Sequence, residues 1–264
     1  ILSLLSSFTA IYAGSLADAE RYQSLTAAEI YCPGNLKYDA PALPADANAL
    51  AGLASLFGAR PLWCAASTHP GEEEIAIAAH RALVETFPNL LTIIAPRHAA
   101  RGPAIAEMIE GKGLSVARRS AGEGPSAKTS IYLADTMGEL GNLFRLCPIV
   151  FVGGSLVKSG GHNPIEPARL GCALITGPHT YNFTNIQNDF IKGDAVEIIP
   201  DASQLAPTVQ RLLQDGELRA MRAANASAVV SDQAGATRFI LRHALQLLPP
   251  EAPAEAAPLQ RLGA

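Results

Sequence analysis

The chain has 264 residues, 48% hydrophobic and 17% charged, with a formal net charge of -4. That apolar content can furnish the core of one large domain or two small ones. Only 20 Lys and Arg against 24 Asp and Glu exclude the concentrated positive charge of a nucleic-acid surface.

Residues 1–11 are apolar but broken by Ser3, Ser6, Ser7 and Thr9. The run is too short to span a membrane and lacks the basic start of a signal peptide. It begins at Ile1 rather than Met, in the middle of what reads as structure, so a fragment of a longer protein is expected. Ser15 and Asp18 then make a capping-box pair before a helical stretch, and residues 29–32 read as a strand ended by Pro33 and Gly34. The proline-bearing segment 40–46 reads as a linker, and 47–57 as an Ala/Leu helix stopped by Gly58. From Arg60 onward, strands at 62–66, 90–95, 114–117, 130–133, 149–152, 173–176 and 195–199 alternate with helices at 72–87, 103–110, 137–146, 182–192, 201–215 and 217–248. Gly235 marks a kink in the last helix. This repeated wiring predicts an α/β fold, a Rossmann-like parallel sheet with helices on both faces. Cys64, Cys147 and Cys172 sit in or beside apolar runs, as buried thiols in a reducing compartment would. The tail from Pro249 alternates Pro, Ala and Glu and reads as disordered.

The stretch 149–167, IVFVGGSLVKSGGHNPIEP, concentrates the polar chemistry. A short branched run makes a buried strand, and Gly153 and Gly154 allow a sharp turn at its carboxyl end. Gly160 and Gly161 open a second bend, and Pro164 suits the first turn of a helix. The glycine pairs have two readings, a bare turn or a loop whose N–H groups hold a phosphate or carboxylate. The polar residues Ser155, Lys158, His162, Asn163 and Glu166 favour the second.

In an open parallel sheet, ligands bind outside the carboxyl ends of the strands. Loops there supply Ser67 and His69, Arg97 and His98, residues 153–166, and Gly177 to His179. Arg97 offers a rigid fork of donors for a phosphate, or is a plain surface residue. Glu166 either accepts from sugar hydroxyls or merely complements its helix dipole. The four histidines at 69, 98, 162 and 179 lack the spacing of a zinc motif, so no metal is expected. A Walker loop, a strand-linked G-x-G-x-x-G, a G-x-S-x-G elbow and an H-E-x-x-H are all absent from the sequence. The residues thus describe a domain for a nucleotide-like or phosphate-bearing ligand, without a visible nucleophile.

PGNLKYD at 33–39, STHPGEEE at 67–74, APRH at 95–98 and FVGGSLVKSGGHNPIEPA at 151–168, followed by GP at 177–178, resemble the motifs of the 3-deoxy-D-manno-octulosonic acid (Kdo) transferases of Gram-negative bacteria. The resemblance runs over nearly the whole chain and implies the C-terminal domain of a GT-B glycosyltransferase. It implies CMP-Kdo as donor, with no separate cofactor, and a lipid A precursor as acceptor. Arg97, Gly154, Ser155, Gly161, Asn163 and Glu166 would line the CMP-Kdo pocket, with Gly153 in the same loop and His98, Ser67 and Lys158 nearby. It further implies that residues 1–39 trail from an N-terminal acceptor domain, that 40–248 form the donor domain and that 249–264 are a tail. The acceptor, the membrane association at the cytoplasmic face of the inner membrane and the catalytic glutamate would all belong to the missing N-terminal region. Other GT-B enzymes of UDP-sugars, such as a 2-epimerase, and a non-catalytic binding module are the alternatives.

Overall fold

The structure is a computed structural model describing residues 2–248. The tail from Pro249, expected to be disordered, lies outside the described residues. The first forty residues hold α1 (Leu2–Leu5), β1 (Ala10–Tyr12), α2 (Leu16–Gln23) and β2 (Glu29–Tyr31). Strands β1 and β2 pair in parallel, and Ser15 caps α2 by accepting from the Asp18 amide. The apolar start therefore contributes a strand that its serine-broken pattern did not announce.

Asp46 opens α3 (Ala47–Phe57) by accepting from the Ala49 amide at 2.7 Å, and Gly58 ends it. There follow β3 (Leu62–Thr68), α4 (Glu72–Leu83), β4 (Leu91–Pro96), α5 (Gly102–Gly111), β5 (Val116–Arg118), β6 (Ile131–Leu133) and α6 (Leu140–Leu146). The chain continues through β7 (Ile149–Val152), α7 (Ile165–Arg169), β8 (Ala173–Thr176), α8 (Thr184–Lys192), β9 (Val196–Ile198), α9 (Leu205–Gln214), α10 (Gly216–Asp232) and α11 (Ala236–Leu247).

Strands β3 to β9 form one seven-stranded sheet in the order β5-β6-β4-β3-β7-β8-β9, every pair parallel. All residues of β4, β7 and β8 are buried, as they must be when crossover helices cover both faces. Trp63, Ile94, Phe151 and Ile175 of the strands share one core cluster with Ile77 and Leu83 of α4 and Val209 and Leu212 of α9. From β3 the chain winds outward through β4, then crosses back to place β7 on the other side of β3. The topological switch point thus falls between β3 and β7, and the crevice lies beyond their carboxyl ends.

The chain divides into two units, Pro41–Asp232 and a smaller one joining the residues up to Ala40 with those from Gln233. This differs from the expected span 40–248 and from a single kinked helix over 217–248. Gly235, at φ 126°, separates α10 from α11 outright. The Gly235 and Thr237 amides donate to the Asp39 carboxylate at 2.6 and 2.5 Å, so α11 starts on the smaller unit. There the Tyr12 hydroxyl meets His243 Nδ1 at 2.8 Å, with the Tyr31 ring 4.4 Å from that imidazole.

Cys64, Cys147 and Cys172 are buried and Cys32 is exposed, all four as free thiols. Among the described residues no helix is long and apolar enough to cross a membrane.

Candidate functional site

Three loops converge at the switch point. Ser67, next to last in β3, has φ 57°, a left-handed conformation uncommon for a residue with a side chain, and the register with β4 shifts there. The amide of Gly153 donates to the Ala66 carbonyl at 2.8 Å. A Cβ on Gly153 would stand 2.6 Å from the Ser67 carbonyl oxygen. Glycine is needed here because two backbones touch. The Arg97 amide donates to the Thr68 carbonyl at 3.0 Å, which draws the loop after β4 to the same place.

The glycine-rich loop does not leave its first amides to a ligand. Glu72, fully buried at the start of α4, directs its carboxylate into the turn. Gly154 donates to Oε2 at 2.6 Å, and Ser155 and Leu156 donate to Oε1 at 3.0 Å each. The His69 amide adds a fourth bond, to Oε2, at 2.9 Å. A concavity of consecutive amides is an anion site, and the protein fills it with its own anion. The expectation of a free amide cradle for phosphate is corrected over 154–156. Ser155 is likewise committed: its hydroxyl donates to the Val152 carbonyl at 2.6 Å and accepts from the Gly177 amide at 2.8 Å.

Beyond this clasp lies a cavity of about 280 Å³, whose polar lining is Ser67, Arg97, His162, Asn163 and Glu166. Leu140, Phe144, Val152, Pro167 and Phe183 give it an apolar wall. Ser67, Arg97 and Leu140 also border a smaller hollow of about 60 Å³ reaching Thr136, Met137 and Glu139. Arg119 donates to Glu139 at 2.7 and 2.9 Å, and these hydrogen bonds hold that carboxyl below its usual range against the opposing effect of burial. Asn163 accepts from the Ile165 amide at 3.2 Å and donates to Glu166 at 3.3 Å, which fixes both side chains at the start of α7. Among the described residues Arg97 has no ion-pair partner, and it is exposed. A guanidinium so placed can take a phosphate bidentately.

His69 and His162 stack over Gly154 with their Nε2 atoms 2.8 Å apart. Only one of the two nitrogens can carry the proton between them. Burial first, and then His69, Arg97 and His98, push the His162 imidazole down to about 4, so it is neutral at pH 7. His98 lies edge-on to His69 at 6.1 Å. The two facing nitrogens bond to each other instead of pointing at a common centre, and the described residues hold no group of three or more ligand-type side chains placed for a metal ion.

Of the residues singled out from sequence, the structure gathers Ser67, Arg97, Asn163 and Glu166 around one cavity. Gly153 and Gly154 are outside its lining and form the turn after β7, and Gly161 closes the loop by donating to the Gly154 carbonyl at 2.8 Å. His98 is exposed and outside the lining. Lys158 is exposed and outside the lining, its carbonyl accepting from the Tyr181 hydroxyl at 2.8 Å. The apolar wall from α6 and Phe183 was not foreseen, since nothing in an amphipathic helix pattern tells core-facing from cavity-facing residues.

A Rossmann-like sheet with such a crevice at its switch point defines a class, the C-terminal domain of a GT-B glycosyltransferase. The 3-deoxy-D-manno-octulosonic acid transferase of Haemophilus influenzae is 36% identical over 243 residues, 90% of this chain and 57% of that protein. The probable mitochondrial 3-deoxy-D-manno-octulosonic acid transferase of Arabidopsis thaliana is 34% identical over 81% of this chain and 50% of its own. Among solved structures, the C-terminal CMP-Kdo binding domain of WaaA from Acinetobacter baumannii is 34% identical with a TM-score of 0.66, covering 69% of this chain and 96% of that domain. No family model matches the chain. The chain belongs to the Kdo transferase family, and it spans about half the length of the curated relatives it matches.

Proposed function

We propose that this chain is the donor-binding half of a Kdo transferase of lipopolysaccharide synthesis, taking CMP-Kdo in the crevice between the loops after β3, β4 and β7. One observation carries the reading: Ser67, Arg97, Asn163 and Glu166 line a single cavity in a chain 34% identical to the C-terminal CMP-Kdo binding domain of WaaA. The guanidinium of Arg97 holds the donor's phosphate by charge-assisted hydrogen bonds. Glu166, steadied by Asn163, accepts from donor hydroxyls, and the wall formed by Leu140, Phe144 and Phe183 excludes water from the apolar parts of the ligand.

In the intact enzyme a hydroxyl of the lipid A precursor attacks the anomeric carbon of Kdo. The carbon–oxygen bond to the phosphate breaks and CMP departs, its growing charge met by Arg97. A base in the preceding acceptor domain takes the hydroxyl proton, and that domain also supplies the acceptor site and the attachment to the cytoplasmic face of the inner membrane. Donor binding and turnover therefore separate. Calorimetry with the 264-residue chain is expected to detect CMP in preference to UMP, unaffected by EDTA. Mass analysis of a reaction with CMP-Kdo and lipid A precursor is expected to give no product until the preceding domain is joined. Equal, negligible heats for CMP and UMP at millimolar ligand overturn the donor reading, and transfer by the chain alone overturns the placement of the base.

A further inference from the structure

We propose that Glu72 is a positioning residue of the donor site, a built-in anion that sets the glycine-rich loop before any ligand arrives. The carboxylate is fully buried and takes four amides from two loops, His69 on one side and Gly154, Ser155 and Leu156 on the other. Consecutive amides aimed at one point repel each other unless an anion sits there. In nucleotide-binding folds that anion is usually the ligand's phosphate, and the loop tightens as the ligand binds. Here the chain's own carboxylate takes the four amides. Three of these bonds bridge 82 to 84 residues of sequence, and together the four fasten the loop that carries His162 and Asn163 to the strand end that carries Ser67.

Two consequences follow for the ligand. The loop's first amides are spent, so the donor's phosphate must be met by side chains, Arg97 foremost. The nest also offers no place for a further phosphate, which fits a donor with a single phosphate group; this second consequence rests on the donor reading above, whereas the clasp does not.

The test uses the 264-residue chain as wild type, Glu72→Gln and Glu72→Ala, with three measurements: amide exchange at 154–156 without ligand, CMP affinity, and the effect of added formate. Exchange is expected to be slow in the wild type and faster in both variants. CMP should bind roughly tenfold more weakly to each folded variant, the scale of losing charge-assisted hydrogen bonds. Formate, small enough for the space vacated in Glu72→Ala, should restore both slow exchange and CMP affinity there, but not in Glu72→Gln, where the amide side chain still fills the nest. A residue that only stabilises the fold would lower the melting temperature and leave the affinity of the folded protein and its formate dependence unmoved. Fast exchange at 154–156 in the wild type overturns the proposal without recourse to either variant, and so does a folded Glu72→Gln chain with unchanged loop exchange and unchanged affinity. If the wild type binds no CMP, the donor reading falls, while the exchange and formate measurements still decide whether the clasp exists.

Discussion

Arg97 and Glu72 show at the scale of single residues how similar sequence cues lead to different physical roles. Both follow a strand of the parallel sheet, and both carry a charge toward the crevice. Arg97 is exposed, borders both hollows and has no ion-pair partner among the described residues. Glu72 is sealed inside, its carboxylate saturated by amides. Removing Arg97 should therefore act on the ligand and not on the fold. Arg97→Ala is expected to cost about 1.5–3 kcal/mol of CMP binding with an unchanged thermal midpoint, as titration calorimetry and scanning calorimetry on the same sample would read. An unaltered affinity would remove Arg97 from the phosphate.

Packing between helix and sheet gives the elements a built-in response to acid. His80 of α4 is buried, its Nδ1 2.9 Å from the Thr92 hydroxyl of β4, and burial first, with Arg60 second, pushes its imidazole down to about 4. A folded value below the ordinary 6.5 means that the unfolded chain binds the proton more readily. The stabilising contribution is thus complete above pH 6.5 and is lost as the pH falls toward 4. Thermal midpoints should drop across that window, and His80→Gln should make the drop shallower, leaving the share of His162, which is depressed to about 4 as well; a flat wild-type profile between pH 6.5 and 4, or a His80→Gln profile as steep as the wild type, would contradict the assignment. How far elements were legible in the sequence depended on the range of the forces that set them. Strands β7 and β8 match the reading residue for residue, because a branched apolar run bounded by Pro148 and glycine, or by Gly171 and glycine, admits little else. The helix expected over 217–248 failed because its apolar periodicity continues past Gly235, while the bonds from Asp39 that fix the break come from the far end of the chain. The Glu72 clasp was invisible for the same reason, as three of its four partners lie more than 80 residues away. That Arg97, Asn163 and Glu166 would meet at one cavity was legible because strand ends in a parallel sheet announce where a crevice must be.

The whole molecule keeps its candidate chemistry in one place. Every residue lining the cavity belongs to the unit Pro41–Asp232, and the solved relative that covers 69% of the chain is itself a single domain. The smaller unit, with its two-stranded sheet and α11, carries no part of that cavity. Leu241, Leu245 and Leu247 of α11 and Leu2 and Leu4 of α1 are exposed there.

Burial of three thiols gives the chain a chemical address. Cys147 and Cys172 are pushed well above the ordinary thiol range, the first by its hydrogen bond with Cys64, which favours the protonated thiol, and then by burial, the second chiefly by burial, and thiolate is the form that reacts. Cys64 shares their seclusion, whereas Cys32 stands in solvent on the smaller unit. Under native conditions a maleimide dye should therefore couple once, at Cys32, and four times after denaturation, with intact mass recording both counts. The native sequence already carries a single handle for fluorescence, and one engineered cysteine on the sheet unit would make the pair needed to measure, in solution, the distance between the two units with and without nucleotide.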